Sequence, residues 1–258
     1  MLGLKLLSMI IAYFIMATMS KMRIEYEDSY IIVVHKPAGV LAQDDDSGDV
    51  SVVQYARSYF ASNGSGVPYV GLIHRIDRPV SGLMIVAKDK RSAGLFSRLL
   101  QRGRIRKKYQ AVVFGSPPYE SSSLKNYILE RQKETSLVFE KASSKTKEAV
   151  LEYELISSGV FHDIRDYGGK FSFLSIRLIT GRKHQIRAQL SAVGNPIVGD
   201  SRYFNTNVVL TKKMLKCNFL PKGEIALCAN YISFPHPLLN GKIVEVQTAI
   251  PDYWVKIF

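Results

Sequence analysis

A chain of 258 residues, 47% apolar and 22% charged, has the composition of an ordinary globular protein and the length to bury a proper core in one large domain or two small ones. Its 35 Lys plus Arg against 22 Asp plus Glu leave a net charge of +13, which draws polyanions over long range and makes nucleic acid the leading partner class, although charge alone fits a merely basic soluble protein equally well. Two cysteines, Cys217 and Cys228, exclude a disulfide scaffold and a structural zinc site, and five scattered histidines form no metal-ligand pattern, so no metal is expected and a reducing, cytoplasmic setting fits.

Residues 6–20 carry no charge and include Met9-Ile10-Ile11-Ala12-Tyr13-Phe14-Ile15-Met16. The run falls short of the roughly 20 apolar residues a spanning helix needs. It is closer to a signal peptide's hydrophobic region, but Ala17-Thr18-Met19 makes a poor cleavage site. With Met16, Met19 and Met22 available as starts, residues 1–21 are read as an apolar N-terminal extension arising from an upstream start, and no stable membrane association is expected. Residues 22–258 are then one domain, with room for two lobes, and it opens on a strand and turn at Arg23-Ile24-Glu25-Tyr26-Glu27-Asp28.

Ile31-Ile32-Val33-Val34 predicts a strand closed by the turn Lys36-Pro37-Ala38-Gly39, and residues 44–49 an acidic loop. A helix is expected over residues 50–60, with Val53, Ala56 and Phe60 at helical spacing and Asn63-Gly64 beyond its end. Leu83-Met84-Ile85-Val86-Ala87 is short, apolar and bounded by glycine and charge, which predicts a buried strand. Residues 90–102 predict an amphipathic helix with Ala93, Phe96, Leu99 and Leu100 on one face, stopped by Gly103. Further strands are expected over residues 109–114, 150–156, 171–179, 225–234 and 243–246. Pro117-Pro118 and Ser121-Ser122-Ser123 read as a loop, and residues 141–147 as a polar connection. A helix over residues 182–193 would bury Ile186, Leu190 and Val193. Many strands, few helices and no regular alternation predict an α+β fold.

Three segments carry candidate chemistry. In Gly71-Leu72-Ile73-His74-Arg75-Ile76-Asp77-Arg78-Pro79-Val80-Ser81-Gly82-Leu83, an Arg-x-Asp pair sits beside the predicted core strand. Charges there need a partner or a task, which makes Asp77 the first catalytic candidate; its simpler use is to cap a turn. Arg102-Gly103-Arg104-Ile105-Arg106-Lys107-Lys108-Tyr109 joins five cations to an aromatic, a composition suited to phosphates and an unstacked base, or else a solvated strand end whose tyrosine packs inward. Thr180-Gly181-Arg182-Lys183-His184-Gln185-Ile186-Arg187 crowds cations where a helix dipole is positive, a local conflict of the kind found at functional sites. His184 and Arg187 share a face there, and one of them can meet a carboxylate from another segment. His74-Arg75-x-Asp77 is faintly kinase-like, but no glycine-rich loop or Asp-Phe-Gly accompanies it.

Taken together, the chain resembles the RluA-type family of RNA pseudouridine synthases from Ile24 to Trp254. The resemblance rests on the His-Lys-Pro-Ala-Gly turn at 35–39, the His74 to Gly82 segment, Lys107-Lys108-Tyr109-x-Ala111-Val112-Val113, the Gly181 to Arg187 segment, and Gly194-Asn195-Pro196-Ile197-Val198-Gly199-Asp200 with Tyr203. It implies a mixed, largely antiparallel sheet with flanking helices and a central cleft between two lobes, and isomerisation of uridine to pseudouridine in structured RNA, ribosomal or transfer. A monomer is expected on the separate ground that no long exposed apolar helix is visible in the sequence. It also implies Asp77 as the catalytic aspartate, Arg75 as the residue that helps displace the target base, Tyr109 beside the uracil, and Arg187 paired with the aspartate, bidentate if geometry permits. Ile76 replaces the usual Leu and Val80 the common Thr. The small S4-type RNA-binding domain of many relatives is expected to be missing, which leaves RNA selection to the catalytic domain or a partner. The reaction stays within one nucleotide, so no cofactor is expected. The alternatives are a non-catalytic RNA-binding protein with a degenerate synthase site and a nucleosidase-like hydrolase using the same aspartate.

Overall fold

A computed structural model of the chain describes residues 19–62, 68–131, 134–160, 170–204 and 220–257. Most of the apolar extension, residues 1–18, and the Asn63-Gly64 helix end lie outside them. Among the described residues no helix is long and apolar enough to cross a membrane. In chain order the elements are β1 (Arg23–Glu27), β2 (Ile31–Lys36), α1 (Val52–Ser62), β3 (Gly71–Leu72), β4 (Ser81–Ala87), α2 (Lys90–Gln101), β5 (Arg106–Phe114), β6 (Ser121–Leu129), β7 (Leu137–Phe139), β8 (Lys147–Val160), β9 (Lys170–Leu178), α3 (Gln185–Ala192), β10 (Leu227–Pro235), β11 (Ile243–Gln247) and a closing 3-10 turn (Asp252–Ile257). The chain divides into two compact units, residues 1–104 with 234–248, and residues 105–233 with 249–258.

In the first unit Asp28 sets the β1–β2 hairpin: its Oδ1 accepts from the Tyr30 and Ile31 amides at 2.7 and 2.9 Å. β2 then pairs antiparallel with β4, and β3 adds a short antiparallel pairing at Ala87 and Val86. All seven residues of β4 are buried, as its unbroken apolar run requires. α2 packs on β4. Asp89 caps its start by accepting from the Ser92 amide at 2.9 Å, and Gly103 ends it at φ +65°. Phe96, the fully buried aromatic of α2, meets Phe234 and His236 edge-on at 5.3 and 5.1 Å between ring centroids. Leu99 and Leu100, expected on the same buried face, are only half-buried. In α1 the buried pair is Val52 and Ala56, one turn apart, with Val53 and Phe60 half-buried.

His35 lies on β2 opposite Arg23. Burial, aided by the Arg23 charge, pushes the imidazole down to about 4. The neutral ring is the native form, so stability is complete above the free histidine value and is lost as pH falls from about 6.5 to about 4. We expect up to about 3 kcal/mol of acid destabilisation from this residue, measured by urea unfolding across that window. A His35→Gln chain should lose that part of the pH dependence.

In the second unit the strands run in the order β10–β5–β9–β8–β6–β7, each ladder antiparallel. An isolated parallel bridge links Leu41 and Ser51 in the first unit. One face of β5, β9 and β8 buries Tyr109, Ala111, Leu174, Ile176, Leu151 and Tyr153. α3 is fastened to this sheet by Gln189, whose Nε2 donates to Asn126 Oδ1 at 2.8 Å and to the Leu124 and Ala149 carbonyls. The α+β class holds.

Two local expectations are corrected. Ser121-Ser122-Ser123 opens β6 rather than a loop, pairing opposite Glu154, Tyr153 and Glu152 of β8. Backbone pairing to a strong neighbour overrides the turn preference of serine. The last helix spans Gln185–Ala192 rather than 182–193, and Val193 is 41% exposed at its end while Ile186 and Leu190 are buried.

Candidate active site

In the first unit the Asp77 segment is held by its apolar neighbours and by one lysine. Ile73, Ile76 and Val80 are buried, which fixes the loop on either side of the half-buried Asp77. The Val80 amide donates to the Asp77 carbonyl at 3.0 Å and closes a turn. Lys36 ends β2 fully buried, and its Nζ donates to the carbonyls of Pro37, Val40 and Arg78 at 3.0, 2.9 and 3.1 Å. An ammonium has three donors and no acceptor, and three inward-facing carbonyls supply one acceptor for each. The Gly39 amide donates to Arg78 O at 2.8 Å, and Arg78 Nε returns a bond to Gly39 O at 3.0 Å. Arg78 Nη2 reaches Asp49 of the acidic loop at 2.6 Å. Arg75 is exposed, its Nη1 donating to Gln43 Oε1 at 2.9 Å. The His-Lys-Pro-Ala-Gly turn, read from sequence only as a turn, is therefore the brace of the Asp77 loop.

In the second unit Tyr109 lies buried in β5, opposite Ile176 of β9. Lys107, two residues earlier on the same face, is half-buried, and burial holds its ammonium below the usual lysine value. The basic residues Arg106 and Lys108 are exposed within the strand, and Lys108 Nζ stands 5.3 Å over the Tyr231 ring. The cations expected to crowd the last helix start lie just ahead of it. Arg182 Nε donates to Glu148 O at 2.8 Å, Lys183 Nζ to Arg131 O, and the Lys183 amide to Glu130 Oε1 at 3.0 Å. Gln185 Oε1 accepts from the Arg182 amide at 3.0 Å and from Thr180 Oγ1 at 2.8 Å. The predicted conflict with the helix dipole is relieved by these carbonyl and carboxylate acceptors.

Arg187 is 3% exposed, and its Nε and Nη2 donate to Asp200 Oδ2 and Oδ1 at 2.6 and 2.9 Å. Asp200 thus holds one edge of the fork in a bidentate pair. Asp200 is 1% exposed and also accepts from the Arg202 and Tyr203 amides. Its position follows from residues 196–198, which lie along β5: Phe114 N donates to Pro196 O and Val198 N to Val112 O, both at 2.9 Å. Gly199 then turns at φ +84°, where an added Cβ would come within 2.7 Å of Glu224 O. We expect Gly199→Ala to cost about 3 kcal/mol in denaturant unfolding, from left-handed strain plus a backbone clash.

The sequence matches the RNA pseudouridylate synthase family over residues 30–192. The chain belongs to that family. It is 30% identical over 230 residues to the ribosomal large subunit pseudouridine synthase D of Buchnera aphidicola subsp. Schizaphis graminum, covering 88% of this chain and 69% of that one. The synthase C of the same organism is 29% identical over 232 residues, covering 89% and 67%. The chain thus spans about two thirds of the length of these relatives. Human RNA pseudouridylate synthase domain containing 4 superposes with a TM-score of 0.71 at 20% identity, covering 95% of this chain and 94% of that chain, and domain containing 1 with 0.69 at 23%, covering 90% and 84%. These two likenesses establish a shared fold. The chain is accordingly an RNA pseudouridine synthase, an isomerase acting on RNA.

For a member of this synthase family, the described geometry places Arg75 and Asp77 on one braced loop of the first unit, and Tyr109 and Arg187 in the second. Sequence reasoning named these four but missed the roles of Lys36 and Asp200. Both stood inside quoted motifs. Their signal was a charged residue directly following an apolar run, Ile31-Ile32-Val33-Val34-His35-Lys36 in one case and Ile197-Val198-Gly199-Asp200 in the other.

Proposed function

We propose that this synthase isomerises specific uridines of large-subunit ribosomal RNA, with Asp77 as the catalytic aspartate. The observation that carries the reading is the Asp77 loop itself: a half-buried carboxylate between buried Ile76 and Val80, on a turn tied down by Lys36. A structural turn cap does not need a buried ammonium under it. The ribosomal substrate is supported by the names of the synthase C and D relatives.

In this reading the target nucleotide leaves its stack at a cost of a few kcal/mol. Arg75, exposed beside the aspartate, helps displace the base, and Tyr109 offers a face for the uracil. Asp77 acts in its ionised form, as nucleophile or as a counter-charge to positive charge developing at C1′. The N1–C1′ bond breaks, the uracil rotates, and a new bond forms through C5 while the base stays held beside the sugar. Arg187 serves as a substrate-binding residue of the same reaction.

The test is a map of pseudouridine in ribosomal and transfer RNA from cells with and without this chain. Discrete positions lost from large-subunit ribosomal RNA are expected. Losses confined to transfer RNA would reassign the substrate, and no loss in any RNA would contradict the reading.

A further inference from the structure

We propose that Asp200 and Tyr203 are positioning residues that fix the Arg187 guanidinium in one orientation for the reacting nucleotide. The proposal rests on the role given to Arg187 above.

Arg187 lies on α3, where every residue from Gln185 to Ser191 is buried. A helix that only had to pack could carry a leucine there, because a buried ion pair is often no more stable than apolar residues of similar volume. Instead the guanidinium is constrained on two sides. Its Nε–Nη2 edge is held by Asp200, and the Tyr203 ring lies beneath its plane, 5.0 Å from Cζ to the ring centroid. A planar fork held by both edge and face has little freedom left to rotate.

The holders are themselves held. Asp200 Oδ1 accepts from the Arg202 and Tyr203 amides at 3.2 and 3.3 Å, so the carboxylate cannot swing away without breaking four contacts. The Tyr203 hydroxyl accepts from the Ser136 amide at 2.6 Å and lies 2.9 Å from His184 Nδ1. Burial pushes the phenol up, so it keeps its proton. Ser191 Oγ, on the next turn of α3 after Arg187, donates to the Tyr203 carbonyl. His184 adopts φ +56° at the helix start without capping it through its side chain. A left-handed histidine is uncommon, and here it accompanies the contact to Tyr203. Each contact restrains the same tyrosine or the same carboxylate, and both converge on one guanidinium.

The test measures kcat and KM on unmodified large-subunit ribosomal RNA transcribed in vitro, per folded molecule, for wild type, Asp200→Asn, Arg187→Lys and the double variant. Asp200→Asn removes the charge that grips the fork, and Arg187→Lys keeps a cation but no fork. Each should lower kcat by about 100-fold, the effect of a misplaced positioning group, with KM within about twofold. The double variant should be no slower than the worse single one, since both break the same restraint. A kcat for Asp200→Asn within about twofold of wild type, a loss confined to melting temperature, or single losses that multiply would overturn the proposal. Should Asp200→Asn fail to fold, Tyr203→Phe decides: it keeps the ring under the guanidinium and deletes the hydroxyl anchor. A kcat about 10-fold lower at constant KM supports the clamp, and unchanged kinetics overturn it. A wild-type chain that makes no pseudouridine on ribosomal or transfer RNA removes the functional reading and the clamp with it. An active wild type with an indifferent Asp200→Asn removes the clamp alone.

Discussion

Asp77→Asn is expected to abolish isomerisation while leaving a folded, RNA-binding protein. The amide keeps the shape of the carboxylate and removes its charge, so the loss falls on the step that needs an anion. Loss of a residue that itself touches the reacting atoms costs on the order of 10,000-fold or more in kcat. The brace around the loop is a backbone one, since Lys36 bonds to the carbonyls of Pro37, Val40 and Arg78, all of which the substitution leaves in place. Unfolding free energy should therefore stay within about 1 kcal/mol of wild type. Single-turnover pseudouridine yield, with urea unfolding and RNA binding on the same preparation, checks all three parts. Near-normal turnover would remove Asp77 from the chemistry.

Arg187→Met should be the most destabilising of the substitutions considered. It leaves the Asp200 carboxylate, 1% exposed, without its bidentate partner. Breaking one side of a buried pair costs about 3–5 kcal/mol, because the remaining charge stays out of water. Replacing both residues, as in Arg187→Met with Asp200→Leu, should recover most of that stability, since neither charge of this pair is left buried. Activity should not return with it. Recovered folding with lost catalysis would separate the structural share of the pair from its functional share. Denaturant unfolding of the two variants, followed by turnover at a temperature where both are folded, makes the comparison. An Arg187→Met chain as stable as wild type would contradict the described ion pair.

Much of the frame was legible in the residues because local rules and tertiary structure agree there. Leu83 to Ala87 is apolar without alternation, and β4 is buried on both faces. Residues 90–102 and Gly103 contain an amphipathic stretch and a stop, and α2 uses both. β6 was not legible. Its first three residues are serines, exposed or half-exposed, and only the partner strand makes them extended. Val193 was expected in the core on helical spacing, but α3 ends at Ala192 and the next residue turns outward.

The candidate site was legible in the same uneven way. Arg75, Asp77, Tyr109 and Arg187 stand in motifs whose residue types announce chemistry. The supports of that chemistry do not. Lys36 resembles any surface lysine until the fold closes three carbonyls around it. Asp200 resembles a turn aspartate after glycine until residues 196–198 dock on β5 and carry it to Arg187. Burial of a charge is a tertiary fact, and sequence periodicity does not encode it.

The most direct measurement of the central claim is tritium release from large-subunit ribosomal RNA made with 5-tritiated uridine. When C5 takes over the bond to the sugar, its hydrogen is lost to water. The wild-type chain should therefore release one tritium for each pseudouridine formed, with the labelled base never leaving the RNA. Tritium that stays on intact uridine, or label that departs as free uracil, would contradict an isomerase acting through Asp77.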